Sequence, residues 1–152
     1  MMRGNGLRKA LVLAVGTPLA LSLALACIPA SPSLADWPTK ADCASAGLKN
    51  CAALTAFVKE LRAAVAAGDK QAVAAKVAYP IEVQLGDGLN VAGPADFVRQ
   101  YDTIMTPAVR DAILKEDPFV SPRKLIQMVG EKAQVWLDVD KGRLLIGTII
   151  IE

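Results

Sequence analysis

The chain predicts an α+β domain, with helices first and an antiparallel sheet after them. Three observations carry that expectation. Apolar residues recur at helical spacing between Cys51 and Ala67. Strict apolar–polar alternation appears at Ile81–Leu85 and again at Ala133–Val139. The turn residues that separate these runs put helices and strands in separate blocks, the signature of this class.

The elements follow in order. Asp36 to Asn50 is a lead-in in which Gly47 ends a short helix and Asn50 can cap the next. In the helix from Cys51 to Ala67, Leu54, Phe57, Val58, Leu61 and Val65 share one face. Lys59, Glu60 and Arg62 lie away from that face, and Gly68 ends the helix. Asp69 caps an Ala-rich helix carrying Val73 and Val77, which Pro80 stops because the residue before a proline avoids the helical region. Ile81–Leu85 and Leu89–Val91 form a hairpin about Gly86-Asp87-Gly88. Gly93-Pro94 opens a third helix with Phe97, Val98, Tyr101, Ile104 and Met105 on its apolar arc. Thr106-Pro107 opens a short fourth through Lys115. Three antiparallel strands close the chain: Leu125–Val129, Ala133–Val139 and, after the turn at Asp140-Lys141-Gly142, Arg143–Ile151. Alternation puts Leu144, Ile146, Thr148 and Ile150 on one face of the last strand and Leu145, Gly147, Ile149 and Ile151 on the other.

The front of the chain reads as an export signal. Arg3, Arg8 and Lys9 precede an uncharged, Leu- and Ala-rich stretch from Ala10 to Ile28. Pro29 and Pro32 break it, and Ser33-Leu34-Ala35 sets small residues where cleavage needs them. The expected division is a signal over 1–35, the lead-in over 36–50 and one domain over 51–152. Two rivals are a lipoprotein box at Ala24-Leu25-Ala26-Cys27, which would tether the domain through Cys27, and an uncleaved anchor of near membrane-spanning length. A periplasmic or extracellular site is the expectation.

Without the signal's three cations, 14 basic side chains face 15 acidic ones. No basic run survives, which removes the electrostatic footprint of nucleic-acid binding and of anionic-lipid binding. Cys43 and Cys51 are left as a pair, and an exported chain makes them one disulfide. Continuous helix would hold them about 12 Å apart along its axis, so a turn must lie between them.

Tyr79-Pro80, Phe97-Val98-Arg99-Gln100-Tyr101-Asp102, Thr106-Pro107-Ala108-Val109-Arg110 and Met128-Val129-Gly130 leading to Val135-Trp136-Leu137 resemble the wording of exported bacterial NTF2-like domains. The resemblance covers roughly residues 52–152. It implies the cystatin-like α+β cone, in which a curved sheet wraps a long helix. That superfamily contains enzymes, binders and structural modules, so fold alone does not fix function.

Chemistry-bearing residues are few. The chain has no histidine, which removes Ser-His and Cys-His nucleophile pairs and imidazole metal sites. No phosphate loop, dinucleotide fingerprint or calcium loop is present, and no cofactor or metal is expected. Tyr101 and Asp102 form one candidate pair. On a helical wheel with Phe97 at zero they fall at about 40° and about 140°. A phenol and a desolvated carboxylate at the mouth of a cone would suit general-base catalysis. The plainer reading is a core tyrosine bonded to the backbone and a solvated aspartate. Trp136, with Gln134 and Asp138 on the same strand face, is either a platform for a ligand or partner or a packing residue. Arg110, close to Asp102 and Asp111 in sequence, suits a surface ion pair. The leading expectation is a non-catalytic binding or interaction module, with an unidentified protein, a small apolar ligand or a second copy on the outer sheet face as partner. The alternative is an isomerase- or dehydratase-like enzyme using Asp102 and Tyr101. N-terminal sequencing of the exported protein is expected to begin at Asp36, and a lipidated Cys27 would overturn that division.

Overall fold

The computed structural model describes residues 38–152. The signal, its cleavage site and Cys27 lie outside the described residues. Among the described residues no helix is long and apolar enough to cross a membrane.

Helix α1 (Lys40–Ser45) begins with a reciprocal cap. The Thr39 hydroxyl accepts from the Asp42 N–H, and the Asp42 carboxylate accepts from the Thr39 N–H. Gly47, at φ +84°, turns the chain back, and Cys43 and Cys51 are joined with their Cα atoms 5.5 Å apart. The turn required between the cysteines is this one. Helix α2 (Ala52–Ala67) buries Leu54, Val58, Leu61, Ala64 and Val65, and stops at Gly68 in the left-handed region. Arg62, expected on its solvated side, instead donates to the Ile113 and Glu116 carbonyls at 2.9 and 2.8 Å and pairs with Asp117.

Helix α3 is shorter than its Ala-rich sequence suggests, covering only Lys70–Ala74. Val77 leaves it to form a parallel bridge with Ile146. The Ala78 N–H donates to the Ile146 carbonyl, and the Ile146 N–H donates to the Lys76 carbonyl. Sheet bonds replace helix bonds there. The hairpin of β1 (Ile81–Gln84) and β2 (Leu89–Val91) follows. The expected third helix is two pieces, α4 (Pro94–Arg99) and α5 (Tyr101–Ile104), broken at Gln100. Helix α6 (Pro107–Lys115) starts on a Thr106 cap. A two-residue strand, β3 (Phe119–Val120), precedes β4 (Ile126–Val129), β5 (Ala133–Asp140) and β6 (Arg143–Ile151).

The class is α+β, as expected, but the sheet is mixed rather than antiparallel. Its order is β2-β1-β6-β5-β4-β3. The last strand inserts beside β1 and runs parallel to it, with Val83 opposite Ile149. All other strand pairings are antiparallel.

The alternation expected along β6 is also corrected. Trp136 pairs with Thr148 but Leu137 pairs with Ile146, so Gly147 is an extra residue, a β-bulge. A bulge shifts every later side chain to the opposite face. Leu144 and Ile146 point into the core before it, and Ile149 and Ile151 point inward after it. Leu145, Thr148 and Ile150 are left on the outer face. Glycine suits the bulge because the Asp138 carboxylate lies where a Cβ would stand.

Ile149 is fully buried while Ile150 is not. Ile149→Glu should therefore cost more than about 4 kcal/mol and abolish cooperative urea unfolding, whereas Ile150→Glu should stay within about 1 kcal/mol. Equal tolerance of the two changes would refute the shifted phase.

Candidate functional site

Two groups of candidate residues exist, and the structure keeps them apart. Tyr101 belongs to the core beneath the helices, and Trp136 stands on the outer face of the sheet.

Tyr101 opens α5 and is 1% exposed. Its ring meets Phe97 edge-on at 6.0 Å, and Phe97 meets Tyr79 in the same way at 6.4 Å. The Lys70 ammonium lies 5.2 Å from the Tyr101 ring centre and the Arg110 guanidinium 5.7 Å, both in the range of cation–π attraction. Asp102 bridges these cations at 2.8 Å to Lys70 and 3.7 Å to Arg110. Arg110 is further fixed by donating to the Met105 carbonyl. The result is a charged strap across a buried aromatic residue. Lys70 had no sequence signal pointing to it, because it comes from a separate helix.

This arrangement bears on chemistry. The Asp102 side chain is 74% exposed. The hydrogen bond from Lys70 holds its carboxyl below the ordinary range, with the positive charges of Lys70 and Arg110 adding to the effect. A general base needs the opposite shift. Burial pushes the Tyr101 phenol up, partly countered by Arg110 and Lys70. Its hydroxyl, expected to find a backbone partner, has none among the described residues. Tyr79 provides the contrast: its hydroxyl donates to the Ala74 carbonyl at 2.9 Å, and burial pushes its pKa up to about 12.

Trp136 sits near the middle of β5, half-buried, with its indole N–H donating to the Gln134 side-chain oxygen at 3.1 Å. Register places Gln127 on one side of it and Thr148 on the other, and Phe119 lies beyond Gln127. Phe119 is 41% exposed and Val129 is also exposed, both on this outer face. Sequence reading did not find Phe119 or Gln127 as neighbours of Trp136, because a two-residue strand leaves no periodicity to detect.

Among the described residues, surface clefts also lie away from both groups. One of about 270 Å³ is lined by Leu48, Lys49, Asn50, Ala53, Lys141 and Gly142, and one of about 200 Å³ by Ala108, Asp111, Glu131 and Lys132. Among the described residues no cluster of three or more His, Cys, Asp or Glu side chains could hold a metal ion. Comparison of the chain with protein-family models, curated proteins and solved structures returns no significant match.

An unpartnered buried hydroxyl costs stability that a phenyl ring does not. Tyr101→Phe should leave the protein equally stable or more stable by up to about 1 kcal/mol, read from urea midpoints. A loss of that size would mean that the hydroxyl is satisfied.

Proposed function

We propose that the chain is an exported, non-catalytic binding module of NTF2-like build, working through the outer face of its sheet around Trp136. The observation that carries this reading is Trp136 itself. It is a large side chain on the solvent side of the sheet, held in place by Gln134 and accompanied by Phe119 and Val129. Aromatic residues at half-exposed positions are the usual anchors of binding surfaces.

The order of helices, hairpin, helices and strands, with a six-stranded sheet, supports the NTF2-like cone. The basic, apolar N-terminal layout and the Cys43–Cys51 bridge support export. The enzyme alternative draws less support, because Asp102 is exposed and clamped by two cations rather than desolvated. At this level the partner class includes a second copy of the chain. Unbroken alternation along β6 would give that copy three outer aliphatic residues, Leu145, Ile149 and Ile151. The bulge returns Ile149 and Ile151 to the core and leaves Leu145 and Ile150.

The reading is tested by complementing a deletion strain of the native host. Asp102→Asn should restore function, and Trp136→Ala should not, with both proteins folded by circular dichroism. The reverse pattern would favour catalysis at Tyr101 and Asp102.

A further inference from the structure

The outer face has an order that a generic binding surface does not need. Phe119, Gln127, Trp136 and Thr148 are consecutive cross-strand partners, so they form one row perpendicular to four strands. The row contains no ionisable group. The row beside it, Val129, Gln134, Ile150 and Gln84, contains none either. Two carboxylates border the first row: Glu82, next to Thr148 by the β1–β6 register, and Asp138, two residues along β5 from Trp136. The two rows thus offer no cation to a polyanion. They offer two aromatic rings among amides and a hydroxyl.

Spacing narrows the ligand further. Phe119 and Trp136 are two strands apart, about 9.6 Å at the usual strand separation. That is close to the disaccharide repeat of an extended β-1,4-linked glycan. A gluco-configured pyranose in such a chain carries axial C–H bonds on both faces and hydroxyls around its rim. Its faces lie against aromatic rings, and its rim needs hydrogen-bond partners. Gln127 between the aromatics, and Gln134 and Thr148 beside Trp136, supply amide and hydroxyl groups at the rim. The bond from the indole N–H to Gln134 uses that residue's oxygen, and its NH2 group has no partner among the described residues.

We infer that the Phe119–Gln127–Trp136–Thr148 row binds an uncharged, extended β-1,4-linked glycan, with sugar units two apart stacked on Phe119 and Trp136. The inference rests on the outer-face reading and names its ligand class. Homodimer interfaces are more apolar than the rest of a protein's surface, and the four polar side chains among the eight of the two rows disfavour a second copy of the chain.

The test follows the Trp136 indole N–H by two-dimensional NMR while cellohexaose or chitohexaose is added to the exported protein. A saturable shift is expected at or below ~10 mM sugar. In both Trp136→Ala and Trp136→Tyr the readout is the Gln134 side-chain amide, whose shift should vanish in the first and persist in the second. Gln127→Ala should weaken binding roughly fivefold, as expected for one hydrogen bond. Phe119→Ala should weaken the hexasaccharide but not the corresponding disaccharide, because only the longer chain reaches both rings. No shift with either hexasaccharide overturns the glycan assignment, as does binding that survives in Trp136→Ala. So does sedimentation showing a dimer that buries this face. If neither sugar binds while Trp136→Ala still fails to complement, only the glycan assignment falls. If Trp136→Ala complements fully, the outer-face reading falls with it.

Discussion

The arrangement of this domain depends on β6 being hydrogen-bonded along both edges. On one side it pairs antiparallel with β5 from Arg143 to Ile151. On the other it takes a parallel bridge at Val77 and then β1 at Val83 and Gln84. Between the parallel contacts the neighbouring chain advances six residues, Val77 to Val83, while β6 advances three, Ile146 to Ile149. The surplus arches out through Tyr79 and Pro80. The bulge at Gly147 falls in the same interval on the opposite edge. Both irregularities of the central strand are therefore at one level of the sheet, and the inward set changes phase there. Leu144 and Ile146 meet the core below it and Ile149 above it.

Much of this was legible in the residues. The 3.6-residue stripe of α2, the glycines after α1 and α2, the proline starts of α4 and α6 and the alternation of β5 are local signals, and local signals survive folding when tertiary contacts agree with them. The cysteine pair was legible because Cys43 and Cys51 are the only cysteines in residues 36–152. What failed was non-local. The parallel pairing of β1 with β6 spans most of the domain, and no residue near either strand announces it. Gly147 could be seen as a glycine inside a strand, a known sign of a bulge, but uninterrupted alternation was the simpler pattern. Val77 fits a helix stripe and a strand equally well, and the backbone bonds to Ile146 decide the matter. The surroundings of Tyr101 were half legible. Its burial followed from the wheel, whereas the cations over its ring come from Lys70 and Arg110 on two other helices.

The same division applies to the two faces of the sheet. Inward residues are set by burial and are nearly all aliphatic. Outward residues are under no such constraint, so an aromatic row among amides there is a choice the fold does not impose. The strap of Lys70, Asp102 and Arg110 is of the other kind. Its members are exposed ion pairs, which contribute little to stability, and their effect is to fix the surroundings of a buried ring.

The Cys43–Cys51 bridge closes a loop of only a few residues, and loop-closure entropy grows with loop length. Its grip on the unfolded chain as a whole is correspondingly modest. Its local effect is larger, because α1 has only six residues and rests on the domain mainly through Cys43 and Leu48. Cutting the bridge would divide the molecule into two cooperative units of unequal strength. Amide protons of α1 would exchange through a shallow local opening, while those of β5 and β6 would wait for global unfolding. The bridge thus sets which part of the surface stays in register with the rest under reducing conditions, more than it sets whether the sheet forms.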